Sequence, residues 1–127
     1  MMRDQKLWTW HVAAGLVILA FLGLHMMIMH LDEIVKIGPL NPAGGHPVDW
    51  KNVVARGKMG FFAVTYVLLL GAALFHGLYG LRNILFELNP RPGLKTTLSV
   101  VLLIVGFGLF VLGTWAAMAS FSLARTL

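Results

Sequence analysis

The sequence predicts an all-α integral membrane protein in which three transmembrane helices form part of a multi-subunit helix bundle. Three observations predict it. Of 127 residues, 58% are hydrophobic and only 12% charged, with a mean hydropathy of +0.81; soluble domains have roughly 45–50% and about 25%. The apolar residues gather in three runs, each long enough to cross a hydrocarbon core of about 30 Å, which takes about 20 helical residues. The basic residues lie almost entirely between those runs, where charges flanking membrane spans meet anionic headgroups.

The same distribution disposes of two soluble classes. A formal net charge of +5 would invite a nucleic-acid reading in a soluble protein, but cations that flank spans serve the bilayer, so no nucleic-acid partner is expected. With no cysteine in the chain, disulfide frameworks, zinc ribbons, iron–sulfur ligation and thiol catalysis are excluded from it. Any metal must be held by His, Met or a carboxylate.

The first run covers residues 12–29 and is preceded by Trp8 and Trp10, whose half-polar indoles suit the interface. It follows Arg3 and Lys6, as a signal peptide would. Its end, His25-Met26-Met27-Ile28-Met29-His30, has no small-residue cleavage pattern, so a retained span is expected. The connection over residues 32–58 carries Pro39, Pro42, Gly44, Gly45 and Pro47, too many breakers for a continuous helix. Within it, Trp50, Val53 and Val54 alternate with Asp49, Lys51, Asn52 and Arg56, a pattern for a short interfacial helix.

The second run, residues 59–81, contains one ionisable side chain, His76. A second connection over residues 83–97 is expected to turn at Asn89-Pro90-Arg91-Pro92-Gly93. The third run, residues 98–124, has no ionisable group, and its stripe of Gly106, Gly113, Ala117 and Ser120 permits close helix packing. Backbone polar groups have no water partner in lipid, so each run must be a helix or a strand of a closed barrel, and runs this continuous argue for helices. Residues 1–127 read as a single membrane-anchor domain. Three spans put the ends of the chain on opposite sides. The flanking cations divide evenly, with Arg3, Lys6, Arg82, Arg91 and Lys95 against Lys36, Lys51, Arg56, Lys58 and Arg125, so charge does not choose the orientation.

An ionisable side chain inside a span is a functional candidate, because a buried polar ring without partners costs several kcal/mol. His25 and His76 qualify. One reading is a hydrogen bond to a neighbouring helix; the other, preferred, is axial ligation of haem iron by a neutral imidazole. Ala72, Ala73, Tyr79 and Gly80 share the face of His76, and three of the four are small, as a flat macrocycle or a close helix contact requires. Arg82 follows near the end of the span, within reach of a headgroup or a haem propionate.

Depth separates the two histidines. At about 1.5 Å per residue each lies roughly 6–7 Å inside opposite edges of the core, which leaves on the order of 17 Å between them. Two axial nitrogens must each lie about 2 Å from one iron. Two ligands at these depths therefore imply two haems. His11 lies on the side of His76 and about 40° around the helix from His25; an interfacial hydrogen bond is its simpler role. His30, about 140° from His25, and His46 in the Pro/Gly loop are expected to be solvated, with a proton or ligand site as the alternative. Met26, Met27 and Met29 read as flexible apolar filler.

Two segments resemble the membrane-anchor cytochrome b subunits of the succinate dehydrogenase and fumarate reductase family. Gly15-Leu16-Val17-Ile18-Leu19-Ala20-Phe21-Leu22-Gly23-Leu24-His25-Met26 is similar to the first-helix His-Met segment of the two-haem members. His76-Gly77-Leu78-Tyr79-Gly80-Leu81-Arg82 is similar to the second-helix segment, in which a ligand His precedes a small residue and an Arg. The likeness covers two of the three runs.

The resemblance implies a subunit that is not itself the dicarboxylate enzyme. It would carry electrons between an iron–sulfur subunit, beside a flavoprotein subunit, and a membrane quinone. It implies haem b, with His76 serving the proximal iron near the catalytic subunits, His25 the distal iron, and Arg82 close to the cofactor. Because single-chain two-haem anchors have five helices and four ligands, three helices with two ligands imply a second small anchor subunit. The implied location is a bacterial or archaeal cytoplasmic membrane with the N-terminus cytoplasmic. Menaquinol-linked members that move protons can use a carboxylate near the distal quinone site; the nearest acids here are Asp32, Glu33 and Asp49. The competing readings are a haem-free structural anchor or assembly protein, and a small channel or transporter component with a His-lined proton path.

Overall fold

A computed structural model of the chain describes residues 2–31 and 44–127, with side chains described from Gln5 onward. Residues 32–43, among them Asp32, Glu33, Lys36, Pro39 and Pro42, lie outside the described residues. The described residues form four helices: α1 (Met2–His30), α2 (Trp50–Gly57), α3 (Gly60–Glu87) and α4 (Pro92–Thr126). Three of them, α1, α3 and α4, are long and apolar enough to cross a membrane. The protein is an all-helical integral membrane protein.

Each long helix outruns its apolar run. At about 1.5 Å per residue, the 35 residues of α4 extend about 52 Å, well beyond a hydrocarbon core of about 30 Å. Hydropathy ends where the lipid ends, but backbone hydrogen bonds propagate on into the interface. The connection expected over residues 83–97 is accordingly only a tight turn. α3 continues to Glu87, Asn89 takes a left-handed φ of 49° that Asn tolerates, and its N–H bonds the Phe86 carbonyl at 3.0 Å. Pro92 and Gly93, read from the sequence as part of the turn, belong to the first turn of α4. Proline costs nothing at that position, since its fixed φ suits the helix and its missing N–H would have no partner there.

α3 is the central helix. α1 packs on it along one side and α4 along another, and among the described residues the backbones of α1 and α4 do not approach each other. Glycines set the α3–α4 spacing: a Cβ on Gly106 would come within 2.6 Å of Leu78 Cδ1, one on Gly71 within 3.3 Å of Phe110 Cε2, and one on Gly113 would collide with Leu70. The small stripe of the third run thus faces α3 at Gly106 and Gly113. Outside these seams the large side chains point outward, Leu19 at 70%, Leu103 at 73% and Phe107 at 71% exposure. Such surface is tolerable only in lipid or against another apolar chain.

The short α2 forms where the sequence expects an interfacial helix, and its inward side is the polar one. Asn52 is fully buried and Arg56 nearly so, whereas Trp50 and Val53 are exposed. Asn52 Nδ2 donates to the carbonyls of Gly44 (2.8 Å) and His46 (3.0 Å), and Arg56 Nη2 donates to that of Pro47 (2.6 Å). The side chains one helical turn apart therefore hold the incoming loop, while the indole is left for the bilayer surface. Gly44 and Gly45 both adopt positive φ, and at Gly45 a Cβ would strike the Asp49 carboxylate.

Candidate functional site

The intramembrane histidine on α3 does not face an open surface. The His76 ring lies parallel to the ring of His11 on α1, with centroids 4.0 Å apart and 4° between the planes. Two glycines make the contact possible. A Cβ on Gly15 would sit 3.1 Å from His76 Cε1, and one on Gly80 would sit 3.3 Å from His11 Cε1. Each helix thus places a histidine and, one turn later, the glycine that receives the ring of the other. The helices run antiparallel, so the two units interlock reciprocally. Tyr79 tilts against His11 at 5.3 Å and completes the cluster.

Hydrogen bonding then assigns the protons of His76. Its Nδ1 lies 3.0 Å from the carbonyl oxygen of His11. A carbonyl oxygen can only accept, so Nδ1 carries hydrogen, and in the neutral ring Nε2 holds the free lone pair. A backbone carbonyl fixing Nδ1–H is the usual outer-shell arrangement for histidines that bind metals through Nε2. His11 is in a different state: its Nδ1 is buried and has no hydrogen-bond partner among the described residues. What His11 contributes to the cluster is its carbonyl and the face of its ring.

The parallel stack cannot chelate one metal ion. Ring nitrogen lone pairs lie in the ring planes, and stacked planes only 4° from parallel give directions that do not converge on a point about 2 Å from both. Among the described residues, no group of three or more His, Asp or Glu stands together.

His25 sits elsewhere. It lines a small cavity of about 30 Å³ with Phe21 and Leu24 of its own helix and with Phe62, Thr65 and Tyr66 near the start of α3. From Thr65 to His76 along α3 is about 17 Å at about 1.5 Å per residue. The structure brings His76 to His11 and does not bring it to His25. The cavity beside His25 is far below the roughly 300–1,000 Å³ of a typical cofactor pocket, so a macrocycle on His25 would have to lie on the outer side of the α1–α3 pair.

Arg82 is turned away from both histidines. Six residues beyond His76, it points about 120° around α3. Its Nε donates to Ser99 Oγ on α4 at 3.1 Å, and its guanidinium lies 4.2 Å over the Phe86 ring. His30 and His46 are exposed, as expected; the His46 N–H is held by the Asp49 carboxylate at 2.9 Å. Asp49 thus closes the loop into α2, and Asp32 and Glu33 lie outside the described residues.

His11 as the direct partner of His76 is what sequence reasoning missed. The signal was present, since His11-Val12-Ala13-Ala14-Gly15 and His76-Gly77-Leu78-Tyr79-Gly80 each pair a histidine with a glycine one turn on. No family model, curated protein or solved structure matches this chain.

Proposed function

We propose that this chain is a haem b-binding membrane-anchor subunit of a succinate:quinone oxidoreductase, passing electrons between an iron–sulfur subunit and membrane quinone. The observation that carries the haem assignment is the bond from His76 Nδ1–H to the His11 carbonyl. It supports a ring pre-set in one tautomer, with Nε2 available to iron and little orientational freedom left to lose. The likeness of the segments around His25 and His76 to the anchor cytochromes supplies the dicarboxylate and quinone context. The haem supplies a one-electron carrier within the bilayer.

In this reading His76 is the ligand to the proximal iron and His25 the ligand to the distal one. Gly15 and Gly80 act through the stack, keeping the His76 ring in place by leaving no room for it to turn. Each haem takes its second ligand from a second small anchor subunit laid against the exposed apolar faces of α1 and α3. The flavoprotein and iron–sulfur subunits lie on the cytoplasmic side, with the N-terminus. The membrane is bacterial or archaeal.

The stacked pair itself favours a second reading, a haem-free anchor, because two imidazoles sealed by two glycines already join α1 to α3. Pigment separates the two. The chain is purified with its co-assembling subunits, and haem b is counted from the pyridine haemochrome spectrum against protein. Two haems per anchor pair is the expected result; a colourless complex that keeps its partners overturns the haem assignment in favour of the structural anchor.

A further inference from the structure

A second feature lies where α3 meets α4, with Tyr79 shared between it and the histidine cluster, and does not rest on the haem reading. An open groove of about 600 Å³ runs along α3 and α4, lined by Leu74, Leu102, Phe107 and Phe110 and, from α1, by Leu7. Its polar end is Arg82, bonded through Nε to Ser99. Beyond that bond and the Phe86 ring, the guanidinium has no partner among the described residues, so its Nη groups remain free to donate. Lys95 Nζ lies 5.7 Å over the same Phe86 ring, which places two cations around one aromatic side chain one turn beyond Arg82. Arg91 is close in sequence, and the turn carries one acid, Glu87.

Length identifies what fits. From Arg82 to Gly71 on α3, and from Ser99 to Phe110 on α4, the groove extends about 16 Å at about 1.5 Å per residue. That is half of a hydrocarbon core of about 30 Å, the depth of one leaflet. Arg82 stands at the interface end, and apart from Tyr79 the deeper lining is apolar. A ligand that matches has a negative headgroup at the interface and an apolar chain one leaflet long.

We propose that this groove holds one acyl chain of an anionic phospholipid, with its phosphate on Arg82 and Lys95. The apolar walls receive the chain alongside the two helices, and the free Nη groups take the phosphate oxygens. The Phe86 ring holds both cations near one another.

The test is native mass spectrometry of the full chain, with its co-purifying subunits, in detergent containing equal phosphatidylglycerol and phosphatidylcholine. Phosphatidylglycerol is expected to be retained preferentially, and the Arg82→Gln, Lys95→Gln double variant to lose that preference by roughly 10- to 30-fold, as for two interfacial cations. Arg125→Gln, which removes a cation from the opposite end of α4, is expected to keep it, which separates loss of these two charges from a general loss of charge. A phosphatidylglycerol with a photoreactive acyl chain is expected to label residues 102–110. Equal retention of the two lipids, a preference that survives the double variant, or label spread evenly over the lipid-facing helices overturns the proposal. A dimer whose interface covers the groove overturns it too.

Discussion

The imidazoles of His11 and His76 lie face to face at 4.0 Å, the first over Gly80 and the second over Gly15. This reciprocal arrangement joins α1 to the central helix inside the membrane, and it fixes Nδ1 of His76 on the His11 backbone. A structural contact and the preparation of a ligand are therefore the same set of atoms.

Because a side chain at Gly15 would meet the His76 ring, Gly15→Leu is expected to destabilise the protein by about 1–3 kcal/mol, the usual cost of overpacking. Nothing lies within 4 Å of a Cβ on Gly23 of the same helix, so Gly23→Ala is expected to be neutral or to gain up to about 1 kcal/mol from helix propensity. Thermal unfolding of both variants in detergent checks the contrast. Equal effects at the two positions would show that the ring does not rest on Gly15.

His11 offers its carbonyl to His76, and a side-chain substitution keeps the carbonyl. His11→Phe, which retains a flat ring for stacking, is therefore expected to leave haem content unchanged in the purified complex. His11→Ala opens a gap beside His76 and is expected to cost about 1–3 kcal/mol in stability. Loss of haem in His11→Phe, measured as haemochrome per protein, would instead make the His11 ring a ligand.

Much of the fold is legible in the hydropathy, for a plain reason: three apolar runs in lipid have little choice but to be helices. Their ends are not legible in the same way. The hydrophobic signal stops at the edge of the hydrocarbon, and α3 and α4 continue through Glu87 and from Pro92 on backbone bonds that side chains do not advertise. The site divides similarly. The separation of His25 from His76 follows from counting residues along helices. The pairing of His76 with His11 depends on the register between α1 and α3, a relation between segments 65 residues apart that no local pattern states. The direction of Arg82 follows from helical angle, but the hydroxyl it meets, Ser99, is known only once α4 is placed.

The loop into α2 rests on one buried amide. Asn52 satisfies the carbonyls of Gly44 and His46 together, so Asn52→Leu leaves both without that donor and is expected to cost about 1–3 kcal/mol. Amide hydrogen exchange read by mass spectrometry checks it. Residues 44–57 are expected to exchange faster, while those of α1 keep their protection. Unchanged exchange over 44–57 would mean that the amide does not hold the loop.

The central claim is that His76 and His25 serve different irons at different depths. The most direct measurement is haem b per assembled complex in His76→Gln and His25→Gln, prepared separately and counted by haemochrome spectrum. The account predicts that each substitution removes one haem and leaves the other. Loss of all haem in either variant, or full haem in both, would contradict it.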